Sequence, residues 1–569
     1  MTRLLTLFAV LLALPLMGAS APAGLSYELS PVMADGKLTA VAVTLRFQAD
    51  GDGETLLALP DRWGGKEQLY RHLEGMTVEG GSLREDGPAR RIVSHAPGAR
   101  LVVRYRVVNG YAGDPDASDD NPYRPVVRPA WFHLLGNAWV VQPDGRGRPE
   151  AQVTWTGWPA DWTIVSDLQH PKRGERLDLA GVIESVALGG PDIRIERRRI
   201  PGGTLRVAVR GEWPFSRSEF ADRTAAVIAA QRDFFNDVEG PFLVTLIPVQ
   251  AAEGWESVGG TGRSDAFALF STRGDLEEEL GGILGHEHVH SWIPGQLVRM
   301  PDVEQLDYWF SEGFTDFYAW RTQLRGGVWT LDQFLAALNE AFREYDASPA
   351  RTWTNEKVAA AFWTDGAAQR IPYRRGAFLA LHWDEQLRRG SGGAADLDNV
   401  VLGLRTQMRG ARSPEDIPDA RPGLTAMLLS KGLDPRQDIA RYIDGGEVLE
   451  LDGDWFGGCL IIATQQIAVF ERGWDVPKTS ASGVITGLDP ASPAYAAGLR
   501  DGMKILKREA GAPGDSRVEY VLRVQDGESE RLIRFFPQGR GRYDLRTARL
   551  APGLDKAGRE RCRKAMAGI

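Results

Sequence analysis

Residues Gly285–Trp292 read G-H-E-H-V-H-S-W, and within them His286, Glu287 and His290 form H-E-x-x-H. On a helix, His286 and His290 lie four apart, so both imidazoles project from one face and can bind one Zn2+. Glu287 sits about 100° further round the helix, close enough to take a proton from a water at that metal. His288 falls on the far side of the same helix and is expected to be structural or solvated. Downstream, Trp309–Tyr318 reads W-F-S-E-G-F-T-D-F-Y, a stretch without proline that can form a second helix. Pro294, Gly295 and Pro301 lie between the two segments and should end the first. Glu312 is the natural third ligand. Two His and one Glu leave the fourth tetrahedral position open, which marks a catalytic rather than a structural zinc. Asp316 lies four residues after Glu312 on the same face, where it can accept the outer N–H of a ligand His and fix its tautomer.

H-E-x-x-H followed by E-G-x-x-D resembles the zinc peptidases with a glutamate third ligand, thermolysin among them. The W-F-x-E-G-F-T-D-F-Y string and Trp292 narrow the resemblance to the glycyl aminopeptidase family (metallopeptidase family sixty-one), relatives of the leukotriene-hydrolase-type aminopeptidases. Two further stretches carry it. Pro372-Tyr373-Arg374-Arg375-Gly376, leading into an apolar helix, resembles P-Y-x-K-G, which implies Tyr373 as hydrogen-bond donor to the developing oxyanion and Arg375 in place of the family lysine. Glu253-Gly254-Trp255-Glu256-Ser257 resembles, loosely, the G-G-x-E-H strand that binds a substrate's free α-amine, which implies Glu256 as amine anchor.

These residues need a frame, and 569 residues are enough for about three to four domains. With 43% apolar and 25% charged residues the composition is that of an ordinary globular protein. A net charge of −9 argues against nucleic acid or an anionic membrane as main partner. Residues 1–21 read as a secretory signal: Arg3, the apolar run Leu4–Met17, then Ala19-Ser20-Ala21. Nothing later is apolar and long enough to span a bilayer, so the expectation is an exported protein, periplasmic or secreted. The only cysteines are Cys459 and Cys562. Export permits a disulfide between them; the alternative is one buried thiol and one tail thiol that never meet.

The expected fold class is multidomain α+β. Residues 24–210 alternate apolar and polar positions, as in Ala40–Phe47, Leu101–Val108 and Gly203–Val209, and read as an N-terminal all-β domain, a β-sandwich. Helical periodicity sets in at Ser216–Asp237, followed by a strand at Phe242–Val249. The resemblance makes residues 211–450 a thermolysin-like catalytic domain. Residues 455–545, with S-P-A-x-x-A-G-L at Ser492–Leu499, resemble a PDZ domain, and residues 546–569 form a tail. The implied chemistry is zinc-assisted hydrolysis of a peptide or protein substrate by one Zn2+ per chain, favouring an aminopeptidase that releases Gly or Ala. Two rivals stand beside it: an endopeptidase of exported proteins, and a catalytically lapsed PDZ-type peptide-binding protein.

Overall fold

The structure, a computed structural model, describes residues 24–117, 122–145, 149–169, 176–237, 240–251, 256–274, 277–451 and 453–569. The expected leader and Glu253-Gly254-Trp255 lie outside them. Among the described residues no helix is long and apolar enough to cross a membrane.

The alternation read from the N-terminal sequence produces strands whose inward residues form one core. A five-stranded sheet runs in the order Ala151–Trp155, Leu25–Ala34, Lys37–Gln48, Arg100–Val107, Leu73–Glu79. In Lys37–Gln48 the buried positions include Val41, Val43, Leu45 and Phe47, paired with Val107, Tyr105, Val103 and Leu101. These side chains meet Leu57 and Val93 of a second sheet and Phe132 and Leu134 of a third. Tyr27 and Tyr105 cross this core and donate their hydroxyls to the carbonyls of Val141 and Trp139, so neither phenol is buried unpaired.

One expectation fails at its boundary. Ile193–Ile200 and Gly203–Arg210 are strands, but they do not belong to the N-terminal layers. They continue a second five-stranded sheet, in the order Ile193–Ile200, Gly203–Arg210, Phe242–Pro248, Ala266–Ser271, Val258–Gly262. Leu205 pairs in parallel with Phe242, so a division at residue 210 would cut this sheet. Alternation identifies a strand without naming its partner.

Helices cover this sheet and form the largest core. The helix Arg217–Phe234 is capped by Ser216, whose hydroxyl accepts the N–H of Glu219. The H-E-x-x-H residues lie on Glu277–Val289, and Glu312 and Asp316 on Tyr308–Arg325. Tyr373 lies on Gly366–Ser391, which begins earlier than the motif suggests: Asp365 caps it, accepting from the N–H groups of Ala367 and Ala368. Pro372 therefore sits inside this helix, where its missing N–H removes a single bond of the ladder.

Two glycines bring the last two helices together. A Cβ on Gly376 would stand 1.7 Å from the carbonyl oxygen of Trp309, and one on Gly313 would stand 2.4 Å from the Cα of Gly376. Only bare backbone permits that crossing. Both glycines belong to the motifs, E-G and Y-x-x-G, so the motifs encode helix packing as well as chemistry. Further along, Arg321 is fully buried and pairs with Asp384 at 3.0 Å and Asp398 at 2.9 Å, tying the same two helices to Leu397–Arg409.

The C-terminal region holds two three-stranded sheets: Gly453–Trp455, Leu460–Phe470 and Gln538–Leu550, then Lys504–Ala510, Tyr520–Asp526 and Ser529–Phe535. The second has its own core of Ile485, Leu499, Leu522, Val524 and Ile533. The first is docked on the helices, with Arg546 held by Asp346 at 2.6 Å in a buried pair. Residues after 545 are no loose tail. The strand runs on to Leu550, and Lys556–Ala567 is a helix whose Cys562, Met566 and Ala567 enter the main core. Cys459 and Cys562 form a disulfide. Closing a loop of 103 residues, it restricts the unfolded chain by about 4–5 kcal/mol in the chain-entropy account.

Candidate metal centre

The two motif helices and the Tyr373 helix converge beside the edge strand Val258–Gly262. His286 Nε2 lies 3.2 Å from His290 Nε2, and Glu312 Oε2 lies 3.3 Å from each. Three ligand atoms on a tetrahedron with bonds of about 2.0–2.1 Å stand about 3.3 Å apart, so this near-equilateral triangle has the dimensions of a zinc site. The protonation pattern agrees. His286 Nδ1 lies 2.8 Å from Asp316 Oδ1, and His290 Nδ1 2.9 Å from the carbonyl of Ile293. A carboxylate and a carbonyl only accept, so both Nδ1 atoms donate, and each neutral imidazole turns its Nε2 lone pair to the shared centre.

Without a metal, two lone pairs and a carboxylate at this distance draw protons instead. Burial lowers His286, but Asp316 and Glu312 outweigh it and hold the ring up to about 10. His290 is raised as well, by Glu312 acting against burial. Burial pushes Glu312 up, yet the two imidazoles prevail and keep its carboxylate well below the usual range. A divalent cation would take the place of those protons.

Glu287 engages the edge strand: its Oε2 accepts the N–H of Gly262 at 2.8 Å. The ring of Tyr373 stacks on His286, centroids 5.7 Å apart. Burial, then Glu312, Glu287 and Asp316, raise its phenol well above its ordinary value, so it remains a donor at any working pH. His288 is buried behind the site: its Nδ1 donates to Gln231 Oε1 at 2.6 Å, and burial holds it neutral, down to about 3. It is structural, not solvated.

Two residues that the resemblance singles out lie apart from the triangle. Arg375 does not bring its charge to the site; it is buried and donates to the carbonyls of Arg351, Trp353 and Ile443. Glu256 does not reach the triangle. Its side chain is 51% exposed, pairs with Arg508 at 3.6 Å and lines a polar cavity of about 630 Å³ with Asp114, Arg210, Gln250 and Arg273. Ser257 still pairs with Thr272, so five steps of extended chain, roughly 16 Å, separate Ser257 from Gly262. The strand that touches the site reads Gly259-Gly260-Thr261-Gly262-Arg263. It supplies both glycines of G-G-x-E-H and has Gly262 where that pattern has its glutamate. Arg263 in the histidine position turns away, ion-paired with Glu184 at 3.1 Å and over the Trp63 ring.

Residues 279–376 match the M61 glycyl aminopeptidase family. The matched stretch runs from the H-E-x-x-H helix to Gly376 and bears out the resemblance drawn from those motifs. No curated protein matches the chain. Among solved structures, the aminopeptidase N family protein from Idiomarina loihiensis is 15% identical with a TM-score of 0.67, over 95% of this chain and 100% of that one. The M1 zinc metallopeptidase from Deinococcus radiodurans is 17% identical with a TM-score of 0.45, over 75% of this chain and 95% of that one. The first likeness extends the multidomain α+β fold over nearly the whole chain.

Sequence reasoning missed Arg374 and Glu344. Arg374 Nη1 donates to Asp316 Oδ2 at 2.5 Å, and its Nε donates to Glu344 Oε2 at 2.6 Å. The P-Y-x-K-G pattern leaves position 374 open, and Glu344 lies on a separate helix, Leu331–Ala347, so no local signal joined them.

Proposed function

We propose that this chain is a zinc metallopeptidase that hydrolyses peptide bonds, with His286, His290 and Glu312 holding one Zn2+. The observation that carries this is the 3.2–3.3 Å triangle of ligand atoms with Glu287 beside it. Zinc bound there would supply a Lewis acid and lower the pKa of water. Glu287 takes a proton from the attacking water and passes it to the leaving amine. Tyr373 donates to the developing oxyanion. Asp316 keeps the Nε2 of His286 free to bind.

The domain plan we propose is an all-β unit, a thermolysin-like catalytic unit that begins near residue 193, and a PDZ-like unit around Ser492–Leu499. Export directed by the leader at residues 1–21 is part of this reading, and the Cys459–Cys562 bond is in keeping with an oxidising compartment.

The M61 match favours an aminopeptidase acting on small residues such as Gly or Ala. A second reading, cleavage without a free amine, is favoured by one observation: the strand beside the site carries Gly262, and Glu256 is paired with Arg508 at its far end. Glycyl- and alanyl-anilides, run beside the same compounds with blocked amines, separate the two. Free-amine substrates alone being cleaved supports the aminopeptidase; equal cleavage of both supports the second reading. Glu287→Gln, with zinc retained, should lose about 10²–10⁴ in kcat. An unchanged Glu287→Gln would sink the mechanism.

A further inference from the structure

We propose that Arg374 is a positioning residue of the metal centre: it clamps Asp316 to Glu344 and so fixes the carboxylate that orients His286. The inference rests on the zinc-peptidase reading. Asp316 has two oxygens and both are engaged, Oδ1 with His286 Nδ1 at 2.8 Å and Oδ2 with Arg374 Nη1 at 2.5 Å. Rotating the carboxylate would break one of these bonds, so Arg374 sets the angle at which Asp316 meets the imidazole. Arg374 is itself held on its other side, with Nε and Nη2 at 2.6 and 2.5 Å from Glu344 Oε2. Its side chain is 14% exposed, so water screens these contacts little. The result is a chain of four charged or polar side chains, His286, Asp316, Arg374 and Glu344, each from a different helix.

Arg375 shows that this is more than helix packing. It is one residue away on the same helix, more deeply buried than Arg374, and its guanidinium serves backbone carbonyls alone. Arg374 instead ends on a residue that touches a metal ligand, and it follows Tyr373 directly in sequence. One helix segment thus sets both the orientation of His286 and the place of the oxyanion donor. The planar fork of arginine can engage two carboxylates along fixed directions; a lysine ammonium cannot reproduce both.

The test uses the full chain loaded with zinc, comparing wild type with Arg374→Met, Arg374→Lys and Glu344→Gln. Zinc affinity is measured by competition with a chelator, and kcat and KM on a cleaved peptide anilide. Arg374→Met should bind zinc about tenfold more weakly, at the lower end of what loss of an outer partner costs. Arg374→Lys should fall between it and wild type, and Glu344→Gln should show a smaller loss in the same direction. The fall should appear in kcat, with KM little changed. A purely architectural role would lower the unfolding temperature of the metal-free variants and leave zinc affinity of the folded protein at the wild-type value, which would overturn the proposal. Should Arg374→Met not fold, Arg374→Lys decides: weaker zinc binding supports the clamp, wild-type binding overturns it. A wild type that takes up no zinc defeats the metallopeptidase reading and this inference with it.

Discussion

Among the described residues, two places bring three metal-capable side chains together, and only one of the two is built to hold an ion. His286, His290 and Glu312 form one; Asp50, Asp52 and His95 form the other, in the N-terminal layers. In both, the ligand atoms lie within 4.8 Å of one another. In the first, every ligand is largely buried, and the outer nitrogen of each His is spent on an acceptor. In the second, Asp50 and Asp52 are exposed and His95 is partly buried. Its Nδ1 meets the carbonyl of Ala96 at 3.0 Å, and its Nε2 takes the hydroxyl of the buried Thr55 at 2.9 Å. No lone pair of His95 is left facing its carboxylates. Proximity of ligand atoms is cheap; the outer contacts that free and aim the lone pairs make the difference.

The sharpest way to break this comparison is to remove ligands. Glu312→Gln or His290→Ala should abolish stoichiometric zinc and all peptide hydrolysis, whereas Asp52→Asn and His95→Asn should leave one zinc per chain by metal analysis. Zinc that persists in the first pair, or drops in the second, would reverse the assignment. Next in size, Tyr373→Phe should keep its zinc and lose on the order of 10²–10³ in kcat, as loss of one oxyanion donor does; steady-state kinetics on a cleaved anilide would show it. Asp316→Asn should keep the fold and weaken zinc binding about 10–100-fold, read by chelator competition.

The smallest effect concerns pH. The metal-free His286 has its pKa raised from the ordinary 6.5 to about 10. The folded chain therefore binds this proton more tightly than the unfolded chain, and the stability gained is fully present below pH 6.5 and lost as pH rises through about 10. Zinc must displace the same proton, so its affinity should climb with pH across that window. Calorimetry in buffers of different ionisation enthalpy should register proton release on zinc binding near pH 7.5, and none would mean that the ring is already neutral.

What could be read from the sequence divides along similar lines. The i, i+4 histidines and the i, i+4 pair Glu312 and Asp316 needed only helical periodicity, and both pairs meet at one centre. The N-terminal strands needed only alternation. Pairings across long separations had no such signal. Leu205 beside Phe242, Cys459 beside Cys562 and Arg374 beside Glu344 each depend on which surfaces meet after the elements have formed. Glu256 shows another limit: its loose match to G-G-x-E-H rests on the carboxylate, whereas the strand beside the site carries the pattern's two glycines, Gly259 and Gly260, and no glutamate.

The meeting of Gly313 and Gly376 has a mechanical consequence. Helices that touch through side chains can absorb a small displacement by changing rotamers. Here backbone lies against backbone between the helix bearing Glu312 and the helix bearing Tyr373, with no soft layer between them. At this crossing the spacing between the helix of the metal ligand and the helix of the oxyanion donor is set by the thickness of the peptide chain itself.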